Sequence, residues 1–297
     1  MIEKLIITFF AGGHALLEGV PGLGKTRAIR TFARVLALDT GRVSFTPDLL
    51  PSDLTGNEIY RQQKGEFTIR KGPIFTNILL ADEINRTPPK VQSALLEAME
   101  EKKVTIGDKT LDLPSPFIVF ATQNPLEHEG TYPLPEAQLD RFLMRIILTY
   151  PSVIDEKQIW LAECSKQNSI SEKKTDTNLK GEDLLEMIDY IAKSVRVDEN
   201  IYTYVSDIVS STRELTQPNN SIGILSYGAS TRAGLALIRA GRVRAVMAGR
   251  DYMLPGDIKS LAHDILDHRI GLSYESMSNG LTAYSITDKI LESVRIP

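Results

Sequence analysis

Gly19-Val20-Pro21-Gly22-Leu23-Gly24-Lys25-Thr26 fits the pattern G-x-x-x-x-G-K-[ST] and decides the fold of the first half of the chain. A nucleoside triphosphate brings about four negative charges, and a protein that binds it must replace their hydration. Glycines let backbone N–H groups turn toward phosphate oxygens without side chains in the way. Lys25 is placed to meet the β- and γ-phosphates, and Thr26 to ligate Mg²⁺. The flanks agree. His14-Ala-Leu-Leu-Glu18 is a short apolar run suited to a buried parallel strand. Ile29, Phe32, Ala33, Leu36 and Ala37 recur at helical spacing behind the loop. Strand, glycine loop, helix opens an α/β unit.

Further strands are expected at Val43 to Thr46, Ile78 to Asp82, Phe117 to Ala121 and Arg145 to Leu148. Thr87-Pro88-Pro89 reads as a capped helix start, with Val91, Leu95 and Met99 along one face. Ile59–Arg70, around Lys64-Gly65, and Val104–Leu113, around Gly107-Asp108, read as hairpins. From Pro151 the periodicity turns helical and no strand is expected. Lys166 to Glu182 reads as a linker. Helices are expected at Glu199–Thr216, Ser230–Ala248 and Asp257–Asp267. The expected organisation is an α/β nucleotide-binding core over 1–150 and a helical linker and lid over 151–297.

The chain has 297 residues, 42% of them apolar, and a net charge of −4. The absence of a basic excess argues against a large nucleic-acid footprint. One cysteine, Cys164, cannot form an internal disulfide, which suits a reducing, cytoplasmic setting and a buried, inert thiol. No apolar run reaches the length of a membrane span. Met1 to Ala11 is expected as a buried helix and Trp160 as core. His14, His128, His263 and His268 lack metal-ligand spacing. Arg239, Arg242, Arg244 and Arg250 read as a solvated basic face.

Four further motifs carry chemistry. Asp82-Glu83 leaves an apolar strand beyond the phosphate loop, where Asp82 can hold Mg²⁺ and Glu83 can polarise a water. Asn124, in Thr122-Gln-Asn-Pro125, can bond the γ-phosphate or simply make an Asn-Pro turn. Arg141, in Leu139-Asp-Arg-Phe142, can stabilise a transferring phosphoryl group or make a surface ion pair, with Asp140 as a candidate partner; Arg145 stands nearby as a second arginine. Ser230 is a natural N-cap, and Arg232 behind it opposes the helix dipole, which suits either an anion partner or plain solvation.

Taken together these motifs resemble the MoxR family of AAA+ ATPases. The resemblance rests on Gly12 through Thr26, Phe45-Thr-Pro-Asp-Leu-Leu-Pro-Ser-Asp-Leu-Thr-Gly56, Gly72-Pro-Ile-Phe75 and Ala81-Asp-Glu-Ile-Asn-Arg86. It continues through Ala121–Pro125, Glu129–Phe142, Gly228-Ala-Ser-Thr-Arg232 and Gly249-Arg-Asp-Tyr252. It implies an AAA+ core carrying two extra hairpins, a helical lid, and a homo-oligomeric ring, most often a hexamer. It implies Asn124 as polar sensor, Arg141 as a finger for the neighbouring subunit, and Arg232 as a lid sensor, with Mg-ATP held between core and lid. It also implies a chaperone-type ATPase acting on client proteins with a partner that carries a von Willebrand factor A domain. Family members usually carry a further segment before the position of Met1, including a Gly-Gln element near the adenine, and often proline where Thr231 stands. A DNA-acting motor and a nucleotide-gated adaptor without turnover are the competing readings.

Overall fold

A computed structural model describes residues 1–20, 22–62, 65–125, 130–165, 181–217 and 223–297. The chain opens with helix α1 (Ile2–Phe10), strand β1 (Ala15–Glu18), helix α2 (Lys25–Val35), strand β2 (Thr40–Ser44) and a short α3 (Pro51–Thr55). The hairpin β3 (Gly56–Arg61) and β4 (Glu66–Lys71) precedes β5 (Ile78–Asp82), a 3₁₀ turn at Ile84–Arg86, and α4 (Pro89–Glu101). A second hairpin, β6 (Lys103–Ile106) and β7 (Lys109–Asp112), is followed by β8 (Ile118–Gln123), α5 (Glu136–Leu139) and β9 (Met144–Ile147). The remaining elements are α6 (Val153–Ser165), α7 (Gly181–Ser194), α8 (Glu199–Glu214), β10 (Leu225–Tyr227), α9 (Thr231–Met247) and α10 (Pro255–Leu266), then β11 (Gly271–Leu272), α11 (Tyr274–Ser278) and α12 (Ala283–Ser293).

Five strands form one parallel sheet in the order β2-β5-β8-β1-β9. The inner strands β1 and β5 are buried along their whole length, which explains their unbroken apolar runs. Edge strand β2 buries only Val43, so its apolar signal is faint and its sequence-based start came three residues late. Both hairpins stand outside this sheet as two-stranded ribbons.

The α/β fold class, with its helical C-terminal region, is as the sequence implied. One hydrophobic cluster runs from Leu5, Phe32 and Phe120 under the sheet to Tyr204, Leu237 and Ile265 among the later helices. Helix α1 buries Leu5, Ile7 and Phe9, as expected, and packs on α9.

Several expectations need correction. Strands do occur after Pro151, because Leu225–Tyr227 pairs antiparallel with Gly271–Leu272. Segments of three and two residues are too short to show a two-residue period. Trp160 is 62% exposed, and Cys164 is exposed rather than buried. Helix α4 starts at Pro89 with no side-chain cap, so Thr87 does not cap it. Arg250 is not a solvated cation, since it makes a two-pronged pair with Asp257 at 2.6 and 3.0 Å. Arg244 pairs with Glu3 of α1. The expected linker Lys166 to Glu182 runs into α7 at Gly181 and Glu182; its residues 166–180, with His128 and Pro21, lie outside the described residues.

Candidate functional site

The C-terminal ends of β1, β5 and β8 open on one cleft of about 430 Å³, lined by Gly22, Gly24, Lys25, Thr26, Asp82, Glu83 and Asn124 among others. Gly22 and Gly24 hold φ of +89° and +74°, a region that side-chain-bearing residues avoid. A Cβ added at either would meet no atom within 4 Å. These glycines are therefore needed for the backbone turn, and the space in front of them is open to an anion. Gly24 caps α2, so Lys25 and Thr26 occupy its first turn, where unpaired N–H groups and the helix dipole favour negative charge. Gly19 is packed instead: its Cβ would lie 2.8 Å from the Leu148 carbonyl oxygen. Val20 and Leu23 complete the described part of the loop.

Lys25 Nζ turns back onto the Gly19 carbonyl at 2.7 Å. Burial pulls Lys25 below the ordinary lysine range, opposed by the carboxylates of Asp82, Glu83 and Glu18. Asp82 is buried at the end of β5 and accepts from Arg42 Nε at 2.6 Å. Arg42 sits on β2, next to β5 in the sheet, and also lines the cleft. Sequence reasoning missed it because an arginine on a weak edge strand carries no motif.

Glu83 has φ of +58°, which costs a non-glycine residue about 1–2 kcal/mol. The conformation is held on two sides. The Glu83 N–H donates to Thr122 Oγ1 at 3.0 Å, and Arg86 Nη1 donates to Glu83 Oε2 at 2.9 Å. The following turn is fixed by the buried Gln92, whose amide donates to the carbonyls of Ile84, Thr87 and Tyr132 at 3.0–3.2 Å. Gln92 was also missed, since a polar residue on an amphipathic helix reads as surface. Asn124 lies one residue beyond β8, is buried, and follows a strand whose neighbour is β5.

The arginines lie elsewhere. Arg141 precedes β9, and a second cleft of about 390 Å³ is lined by Gly12, Gly13, Glu100, Arg141, Arg232 and Arg269 among others. Gly12 and Gly13 precede β1, so this cleft is at the N-terminal end of the sheet. The four residues of β1, about 13 Å of strand, separate the two ends. Arg232 lines this second cleft, whereas the described residues lining the first run from Gly22 to Asn124. Arg141 Nη1 and Arg232 Nη2 instead share the Glu100 carboxylate at 2.7 and 2.5 Å, one oxygen each. Arg141 pairs with Glu100, not with Asp140, whose partner is Arg269 at 2.8 Å. Arg145 pairs with Glu18 across β9 and β1, which sets it apart from Arg141. Ser230 caps α9 as expected: its hydroxyl accepts from Arg232 N at 3.1 Å and donates to Asp140 Oδ2 at 2.9 Å.

Among the described residues, no group of three or more His, Cys, Asp or Glu side chains could hold a metal. No helix among them is long and apolar enough to cross a membrane.

The chain is similar to known families and proteins along most of its length. Residues 14–144 match a family described as "ATPase family associated with various cellular activities (AAA)", and residues 223–290 match an AAA lid domain. Chaperone MoxR1 of Mycobacterium tuberculosis is 43% identical over all of this chain and 78% of its own length. The uncharacterized protein YeaC of Bacillus subtilis is 44% identical over 98% of this chain and 88% of its own. A crystal structure from Cytophaga hutchinsonii, named as a candidate ATPase, superposes with a TM-score of 0.90 at 48% identity, covering 100% of this chain and 89% of that one.

Proposed function

The chain belongs to the MoxR family of AAA+ ATPases, and from that premise we propose that it hydrolyses ATP at a site completed by a second copy of itself. One observation carries the reading. Lys25, Asp82, Glu83 and Asn124 face one cleft, while Arg141 and Arg232 stand together at the opposite end of the sheet. AAA+ proteins typically form oligomeric rings, and two faces that differ in this way suit a head-to-tail ring in which one protomer's arginines meet the next protomer's phosphates.

In this mechanism the glycine loop and the first turn of α2 bind the phosphates, and Lys25 leaves the Gly19 carbonyl for the β- and γ-phosphate oxygens. Glu83 releases Arg86 and accepts a proton from water as the water oxygen attacks the γ-phosphorus. The bond to the β–γ bridging oxygen breaks, giving ADP and inorganic phosphate. Asn124 orients the water or the γ-phosphate. Arg141 and Arg232 of the neighbour stabilise charge on the transferring group. The oxygen donors Thr26 and Asp82 fit Mg²⁺, with the remaining ligands left to phosphate and water. When bound, the ion neutralises phosphate charge. Loss of the γ-phosphate removes contacts between protomers, and the resulting change of ring shape acts on a client protein. A chaperone role belongs to this proposal, supported by the name of the Mycobacterium tuberculosis relative; a hexameric ring, a von Willebrand factor A partner and a cytoplasmic setting belong to it as what the family resemblance implies.

The test is steady-state ATP hydrolysis against protein concentration, with Lys25→Ala as control. Specific activity that rises with concentration and vanishes in the control is expected. Binding without turnover at any concentration would favour a nucleotide-gated adaptor.

A further inference from the structure

Two guanidinium groups on the two oxygens of one planar carboxylate form a built anion site, and here the chain fills that site with its own Glu100. Glu100 is the penultimate residue of α4 and is exposed. Lys102, with φ of +53°, ends the helix behind it. The arginines are held from the other side by groups that leave their charge unbalanced at the cleft. Arg141 Nη1 also donates to the Leu96 carbonyl at 2.9 Å. The Arg232 backbone N–H donates to Ser230 Oγ at 3.1 Å, and its guanidinium lies 3.9 Å from Asp140, which Arg269 holds more closely at 2.8 Å. If Glu100 swung out, Arg141 and Arg232 would face the opening as two neighbouring positive charges.

We propose that Glu100 is a positioning residue that occupies the phosphate-binding pair of the free protomer and is displaced by the γ-phosphate of a neighbour. This rests on the shared site proposed above. A γ-phosphate presents the same two-oxygen edge to the same two arginines with more negative charge than a carboxylate. Both anions cannot sit between the guanidinium groups, because like charges at that spacing repel. Each exposed ion pair is weak, so the pair of them holds the arginines aligned but yields to a stronger anion. Glu100 therefore makes assembly depend on a triphosphate in the facing site.

The experiment is sedimentation velocity across a protein dilution series, with ATPγS, with ADP and without nucleotide, on wild type, Glu100→Gln and Glu100→Asp. Gln keeps the size and one acceptor oxygen but removes the competing charge. Glu100→Gln is expected to lower the concentration for half-assembly with ATPγS roughly three- to tenfold. Glu100→Asp restores wild-type behaviour. Assembly of Glu100→Gln at the wild-type concentration, or only at a higher one, would overturn the displacement. Arg141→Ala and Arg232→Ala run beside them: if neither weakens ATPγS-dependent assembly, the shared site falls and the role of Glu100 with it.

Discussion

Arg269 Nε lies 2.8 Å from Oδ1 of Asp140, and this ion pair joins the segment after α10 to the segment that carries Arg141. The Arg269 side chain is 2% exposed, and its remaining donors reach the carbonyls of Asp140, Phe142, Leu143 and Ile265. Burial pulls the guanidinium below its ordinary range, and the Asp140 charge opposes that. Asp140 in turn accepts from the Ser230 hydroxyl that caps α9. The three residues fix the relative position of Arg141 and Arg232. Arg269→Ala strands a mostly buried carboxylate and several carbonyls, so a loss of about 3–5 kcal/mol is expected. Chemical denaturation checks this; a loss under about 1 kcal/mol would contradict it.

The placement of Arg232 gives a test that separates the two possible arrangements. Arg141→Ala and Arg232→Ala should each lower turnover about 10³-fold or more, the range for arginines acting on a transferring phosphoryl group. Mixing either variant with Lys25→Ala protomers should restore part of the activity, because at interfaces where the arginine variant's phosphate loop faces a Lys25→Ala protomer an intact loop meets an intact arginine. If Arg232 served its own nucleotide, mixing would rescue Arg141→Ala but not Arg232→Ala.

The sequence was legible where chemistry is local and obscure where it is made by packing. The glycine loop, Asp82-Glu83 and Asn124 each follow an apolar strand, so strand order alone brings them together. Arg141 and Arg232 were found as residues, but their proximity depends on how α9 sits against the end of α4. Nothing in the spacing of residues 100, 141 and 232 encodes that contact. Gln92 and Arg269 are polar residues inside ordinary helical and loop patterns, and only burial distinguishes them; the exposed Arg42 stands out only by its pairing with Asp82 across β2 and β5. Trp160 goes against expectation for the converse reason: an aromatic in an apolar stretch predicts a core, yet α6 exposes Val153, Ile154, Trp160 and Leu161.

Glu83 combines a strained backbone with a carboxylate freed by breaking one exposed ion pair, to Arg86. Glu83→Gln keeps the shape and the Thr122 contact, which uses the backbone N–H. ATP affinity is therefore expected to change less than about threefold, while turnover falls about 10²–10⁴-fold with loss of the base. Nucleotide titration and single-turnover hydrolysis check the two halves separately. Wild-type turnover in Glu83→Gln would remove Glu83 from the mechanism.

Stability should fall on mild acidification because two histidines are buried neutral. His14 accepts from the Val119 N–H at its Nδ1, 2.9 Å away, so its proton is on Nε2, facing the Met99 carbonyl at 3.2 Å. Burial, the dominant cause, lowers its pKa from 6.5 to about 4. His268, buried against the Phe142 carbonyl and beside Arg269, is also held well below the ordinary range. Between these folded and unfolded values the unfolded chain binds protons that the native chain refuses. The stabilisation is therefore complete above about pH 6.5 and is lost as pH falls toward 4. His14 alone accounts for about 2 kcal/mol between pH 7 and pH 5. Urea unfolding at a series of pH values should show this loss, with His268 adding to it in the same direction. His14→Gln cannot protonate, so it should start less stable at pH 7 and lose less on acidification. An equal pH slope in that variant would show that His14 is not the group refusing the proton.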